Sequence, residues 1–338
     1  MQRKAIIQGR LEFANEKSFG QMYLMYEHRI ENFYKSDVLF KEDVFDEENL
    51  LLNIPRLIAV QEEKYWTNTV KLLEYLAQFA IAGSMAAWLV HEGKIRKYAT
   101  IEPKSDKAIV QTFRKGKKLS AEKGKEEEAL AALTKVIDKH DSHAQAYERR
   151  GFVNYIMGDL AGALYDFNKC ISYDESIPTA YYWRARVHMA KEDWQKAIED
   201  LEMTTKKAIA LQPIYWKARR RKAHCHVQKE EFELAAKELR LFTNRKYEKD
   251  NPNYTYLREC LAQYADVLVK LSKYEEAIDA VERALTYEEQ EQYVPAERLL
   301  TLRGLARHKL GEGGQDDWKK AAKLGSKEAN RLLEEFPA

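Results

Sequence analysis

Three cysteines in 338 residues are too few and too unevenly placed for a disulfide framework. Cys170, Cys225 and Cys260 form an odd set with no paired spacing, so they read as free thiols in a reducing compartment. Long apolar runs are also missing. The only extended low-charge stretch, Leu76 to Val90, has 15 residues and contains Gln78 and Gly83, below the roughly 17–25 needed to span a bilayer. The first ten residues, Met1 to Arg10, carry basic side chains but neither an apolar run nor a small-residue cleavage site, so no secretory signal is expected and a cytoplasmic protein is. Net charge is nearly absent, with 56 Lys and Arg against 54 Asp and Glu. Bulk electrostatics therefore selects neither polyanions nor acidic partners, and only local clusters can do so.

Catalytic signatures are lacking as well. The chain has no phosphate-cradling Gly-rich loop, no His-Glu-x-x-His helix, no Gly-x-Ser-x-Gly elbow and no Cys-x-x-Cys pair. His224-Cys225-His226 has metal-ligand chemistry, but residues two apart on a helix point about 200° apart and cannot share one ion. No metal, cofactor or catalytic residue is expected. At 45% hydrophobic and 33% charged, the sequence is that of a folded, helix-rich protein.

What is present is a repeat. Glu126-Glu127-Glu128-Ala129-Leu130, Asp159-Leu160-Ala161-Gly162-Ala163, Asp193-Trp194-Gln195-Lys196-Ala197, Glu231-Phe232-Glu233-Leu234-Ala235 and Lys273-Tyr274-Glu275-Glu276-Ala277 place their alanines 34, 34, 38 and 42 residues apart. A period of this size marks one supersecondary unit copied along the chain, with loops inserted between later copies. Small residues stand where two helices must cross closely, at Gly151, Ala185, Ala223, Ala265 and Gly304. Phe167, Leu201, Leu239 and Val281 fill a large apolar position, and Cys170 and Ala284 a later small one. Gly124, Gly158 and Gly311 stand at the hairpin turns.

These positions resemble the tetratricopeptide repeat family, over five to six units from about residue 104 to the C-terminus. Glu192, Glu230 and Ser272 stand in place of the turn glycine, Glu175 and Glu289 in place of the usual closing proline, and the unit Glu297 to Leu324 aligns Trp318 with Phe167 only after a two-residue contraction. The resemblance implies an αα-superhelix whose first helices line a concave groove, closed by a polar helix over Ser326 to Phe336. The groove positions it implies are Glu148, Arg149, Phe152 and Tyr155 in the second repeat, Tyr182, Trp183, Arg186 and Met189 in the third, and Lys217, Arg220, Arg221 and His224 in the fourth. The family's carboxylate clamp for chaperone C-termini is matched in type only by Lys217 and Arg221, and is not expected here.

Residues 1–103 differ from the rest. A strand is expected over Ala5 to Phe13, then a helix with Phe19, Met22, Tyr23, Tyr26, Ile30 and Phe33 inward and Glu27, Arg29 and Lys35 outward. An acidic irregular stretch, Ser36 to Glu48, leads to a short extended piece, Leu50 to Pro55, ending at the proline. A second helix from about Glu62 buries Trp66, Val70, Leu73 and Ala77 and stops near Gly83. A hairpin follows, turning at Glu92-Gly93. The order is β-α-β-α-β-β, a small α+β domain that no family is suggested for. After Pro103, Ser105 is expected to cap the first repeat helix.

The composite expectation is a non-enzymatic scaffold or adaptor. Its partner-binding residues would be Arg149, Phe152, Tyr182, Trp183, Arg186, Lys217, Arg220, Arg221 and His224, facing a peptide or protein of acidic and aromatic character, since Arg and aromatic side chains dominate binding hot spots. One alternative is single-stranded RNA, held by Lys217-Ala218-Arg219-Arg220-Arg221-Lys222 and by the eight basic residues from Lys104 to Lys125. Consecutive basic residues point around a helix instead of along one face, which weighs against it. A second alternative is an active site assembled from distant residues of the N-terminal domain; Glu27-His28-Arg29, being consecutive on a helix, do not converge.

Overall fold

The computed structural model describes residues 2–35, 37–105, 107–287 and 294–337. They form two compact units, Met1–Val187 and His188–Ala338.

The first unit opens with an antiparallel sheet of strands β1 (Gln2–Glu12), β2 (Phe45–Asp46), β3 (Leu51–Glu62), β4 (Ala82–His91) and β5 (Lys94–Ile101), in the order β2-β3-β1-β4-β5. Helices α1 (Glu16–Arg29) and α2 (Glu63–Leu76) pack on one face of it. Alternation decides which face that is: Ala5, Ile7 and Leu11 of β1, Leu52 and Ile54 of β3, and Met85, Ala87 and Leu89 of β4 join Phe19, Met22, Trp66, Leu72, Leu73 and Leu76 in one buried core. Asn15 starts α1 through a capping box with Ser18. The β-α-β-α-β-β order and the turn at Glu92-Gly93 are as expected, with the two-residue β2 added.

Five local expectations differ from the structure. Strand β3 runs on through Pro55 to Glu62, because proline is tolerated on an edge strand where its missing N–H is not needed; the edge beyond Leu52 has no outer partner strand among the described residues. Phe33 is exposed, since α1 gives way to a π-helical turn, Ile30–Tyr34, that rotates it off the buried stripe. Arg29, expected outside, lies over the Phe33 and Tyr75 rings at 5.0 and 3.9 Å. Helix α2 ends at Leu76, before Gly83. Ser105 does not cap helix α3 (Ala108–Leu119), which begins after Lys107, and its buried hydroxyl has no hydrogen-bond partner among the described residues.

Helical hairpins follow. In the first unit α3 pairs with α4 (Glu126–Lys139) and α5 (Ala144–Ile156) with α6 (Leu160–Tyr173), before α7 (Pro178–Ala190). After α8 (Trp194–Lys207), the second unit pairs α9 (Pro213–Gln228) with α10 (Phe232–Thr243), α11 (Leu257–Lys270) with α12 (Tyr274–Leu285), and α13 (Ala296–Leu310) with α14 (Gln315–Lys323). Helix α15 (Lys327–Glu335), capped by the Ser326 hydroxyl, covers Trp318 with Ala329 and Leu332. Glu289 lies outside the described residues.

The repeat positions carry the packing the spacing implied. Ala129, Ala163, Ala197, Ala235 and Ala277 are fully buried, as are Phe167, Leu201, Leu239, Val281 and Trp318. A Cβ on Gly151 would come within 2.9 Å of the Phe167 ring, and one on Gly304 within 2.5 Å of Trp318 Nε1, so the helices cross too closely for any larger residue. The turn position is left-handed throughout, at Gly124, Gly158 and Gly311 (φ +83°, +87° and +79°) and equally at Glu192, Glu230 and Ser272 (φ +58°, +58° and +57°). The backbone conformation is thus retained where glycine is not.

Within the first unit, charge joins the sheet to the hairpins. The Arg10 guanidinium reaches Glu12 at 2.7 Å and Asp174 at 3.2 Å, Glu12 meets His140 Nε2 at 3.3 Å, and the Gly83 amide donates to Gln145 Oε1 at 3.2 Å. The sequence boundary at 103/104 falls inside this unit, between β5 and α3.

Candidate functional site

Helix positions relative to the small crossing residue sort eight of the nine candidates; Lys217, six before Ala223, is half-buried. Three residues before it the side chain is buried: Glu148, Tyr182 and Arg220 are 4%, 6% and 7% exposed. Two residues before it and one after, the side chains are half-buried: Arg149 and Phe152, Trp183 and Arg186, Arg221 and His224. Tyr182 and Arg220 therefore belong to the packing and not to the open surface, a correction to their assignment as groove residues.

In the first unit, α5 and α7 build an aromatic cluster around one guanidinium. Phe152 and Tyr155 lie 4.7 and 5.5 Å from Trp183, ring centre to ring centre, and Tyr182 meets Trp183 edge-on at 5.4 Å. The Arg186 guanidinium sits 5.6 Å over Tyr155 and 5.8 Å over Trp183, and its Nη2 donates to the Tyr155 hydroxyl at 3.1 Å. No carboxylate among the described residues forms an ion pair with Arg186. Such a charge, oriented by rings on one side, is available to a ligand carboxylate on the other. Arg149 instead pairs with Glu148 at 3.1 Å.

In the second unit, Lys217, Arg220, Arg221 and His224 follow i, i+3, i+4, i+7 spacing on α9 and share one face. Arg220 stacks 3.6 Å over Tyr256 and lies 3.6 Å from Glu259. Burial, then the Arg221 charge, lowers the His224 pKa, so the ring is neutral at pH 7. Trp194 approaches its edge at 5.9 Å. Neither Tyr256 nor Glu259 was anticipated. A signal existed: Glu259 precedes Ala265 by six residues, as Lys217 precedes Ala223, so the next repeat places a carboxylate where this one has a lysine.

The basic run divides around the helix. Arg219 pairs with Glu238 at 2.6 Å and donates to the Tyr215 hydroxyl, and Lys222 pairs with Glu238 at 2.8 Å and with Glu202 at 3.4 Å. In the Lys104–Lys125 stretch, Lys117 binds Glu102 at 2.6 Å, Lys125 binds Glu128 at 2.6 Å, and Lys107 donates to the Phe79 carbonyl while burial lowers its pKa. Several of these charges are engaged internally.

Among the described residues no group of three or more His, Cys, Asp or Glu is arranged to hold a metal. His226 is buried and bonds Glu231 at 2.7 Å, while burial pushes the Cys225 thiol up to about 12 and raises Cys170 and Cys260 as well.

Family models for the tetratricopeptide repeat match residues 182–249 and 259–291, and none matches the N-terminal region. Over those residues the helical hairpins are tetratricopeptide repeats. The fold is similar to that of YrrB, described as a tetratricopeptide-repeat protein with an unusual peptide-binding site, at 17% identity over 60% of this chain and 98% of that one (TM-score 0.51). It is similar too to PilF of Pseudomonas aeruginosa, at 15% identity over 68% of this chain and 100% of that one (TM-score 0.52). No curated protein sequence matches the chain. Repeats of this kind make a protein-interaction scaffold, and no helix among the described residues is long and apolar enough to cross a membrane.

Proposed function

We propose that the protein is a non-enzymatic adaptor whose repeat helices bind a peptide or protein segment through ring and guanidinium side chains. The observation that carries this reading is the Phe152, Tyr155, Trp183 and Arg186 cluster: half-buried rings from equivalent helices of successive repeats, with a guanidinium that already lies on two of them. Rings supply contact area at low entropic cost and the guanidinium supplies direction, so the complementary ligand carries an aromatic or aliphatic anchor beside a carboxylate. A peptide-binding site in a protein of similar fold is consistent with this use of the scaffold. The α9 face, with Lys217, Arg221 and His224, offers acidic groups a second contact of its own, weakened by salt. The ion pairs within the basic run leave fewer cations for a phosphate backbone, which favours a protein ligand over RNA.

The test is affinity capture from cytosolic extract with half the sample nuclease-treated before washing. Proteins retained in both halves support the adaptor. Their loss together with bound nucleic acid would replace it with the RNA reading.

A further inference from the structure

We infer that the outer edge of β3 pairs with the same edge of a second copy, joining two sheets into one. Strand β2 covers β3 only at Leu51 and Leu52, so the backbone from Asn53 to Glu62 has β1 on one side and no strand on the other among the described residues. Open edges in folded proteins are ordinarily guarded by charge, proline or a bulge. Here the guards stand at the ends, Pro55-Arg56 and Glu62, and the five residues between, Leu57-Ile58-Ala59-Val60-Gln61, are uncharged. Ile58 and Val60 are 55% and 57% exposed, well above what strand side chains in a covered sheet show.

The sequence of this edge is complementary to itself. In an antiparallel pair about a two-fold axis at Ala59, Ile58 lies opposite Val60, Leu57 opposite Gln61, and Arg56 opposite Glu62 of the other copy, each pair occurring twice. Apolar cross-strand pairs and opposite charges each stabilise a sheet, while like charges facing one another destabilise it. Moving the axis to Ile58 sets Arg56 against Val60; moving it to Val60 sets Glu62 against Ile58. Only the Ala59 register satisfies both chemistries. Arg56 Nε donates to Gln8 Oε1 of the neighbouring β1 at 2.9 Å, and β3 ends at Glu62 where α2 begins, so the added strand has a defined length. A foreign strand would need to reproduce this pattern by chance, whereas a second copy has it by symmetry.

Light scattering and sedimentation of the full chain between about 1 and 100 µM, where weak interfaces are resolved, test the inference. Wild type is expected to dimerise with rising concentration, and Val60→Lys, a solvent-facing change, to stay monomeric throughout. Arg56→Glu and Glu62→Arg are each expected to weaken the dimer by roughly three- to tenfold, the size of exposed pair effects counted twice. The Arg56→Glu/Glu62→Arg double variant inverts both pairs and should return to near wild-type affinity. A wild type that is monomeric at the highest concentration, a dimer indifferent to Val60→Lys, or a double variant weaker than either single one would overturn the inference.

Discussion

The α5 and α7 surface of the first unit and the α9 surface of the second use the same helix positions for different chemistry. Phe152, Trp183 and Arg186 make a ring cluster with one guanidinium, whereas Lys217 and Arg221 make a cationic face beside the neutral His224 ring, and the neighbouring repeat contributes Glu259. Beneath them the packing is constant: small residue at the crossing, large apolar residue on the second helix, left-handed residue at the turn. Packing positions are set by helix geometry, so the half-buried positions two before and one after the crossing are the ones free to vary with the ligand. Substitutions should therefore separate into those that move stability and those that move binding.

The largest effect is expected from the packing. Phe167→Ala removes a fully buried ring beneath Gly151 and should destabilise the first unit by about 3–5 kcal/mol, read by urea unfolding. A loss below about 1 kcal/mol would mean that the crossing is not what holds the hairpin.

Acid should come next, and in the first unit. His143, fully buried beside Phe113, accepts the Ala146 amide with Nδ1, and burial lowers its pKa from 6.5 to about 4. A base with a depressed folded pKa takes up protons more readily when unfolded, so stability is lost as pH falls from 6.5 toward 4, by on the order of 2–3 kcal/mol. Glu12 extends the loss: burial raises its carboxyl, but the bond to His140 and the Arg10 charge outweigh this and hold it low, so protonating it below the ordinary carboxylate range removes further stability. His143→Asn, which keeps a capping acceptor, should flatten the profile between pH 6.5 and 4; an unchanged slope would assign the titration elsewhere.

The two surfaces should respond differently to salt. Arg221→Ala should weaken an acidic ligand less at high ionic strength than at low, since an exposed charge contact is screened. Arg186→Ala should weaken binding at both, because ring stacking persists. Equal salt dependence would erase the distinction.

The smallest effect concerns the turns. Glu192, Glu230 and Ser272 hold left-handed backbone that glycine adopts without strain, so Glu192→Gly should stabilise by about 0.5–1 kcal/mol in thermal unfolding, while Gly158→Ala in the first unit should destabilise by a similar amount.

The repeats were legible because a recurring alanine reports helix crossing directly, and because each unit packs mainly on its neighbours. The succession of strands and helices before the repeats was legible as well, from alternation in β1 and the Glu92-Gly93 turn, whereas the order of strands within the sheet was not. What escaped was set by tertiary phase. Whether position −3 of an A helix faces ligand or neighbour depends on superhelical rotation, which placed Tyr182 and Arg220 inside. Pro55 read as a stop because edge exposure is a property of the assembled sheet, and Phe33 left its stripe through a π-turn that no residue type announces. The loop Tyr247 to Tyr254 is anchored by Tyr247 on the Phe242 ring at 5.2 Å and by buried Asn253.

The most direct measurement is the affinity of a nuclease-resistant partner for wild type and for Arg186→Ala, by titration calorimetry on proteins with matching unfolding curves. The account predicts about tenfold or greater weakening, the loss expected of a hot-spot guanidinium. Equal affinity would show that the ring and guanidinium cluster is packing and that the ligand binds elsewhere.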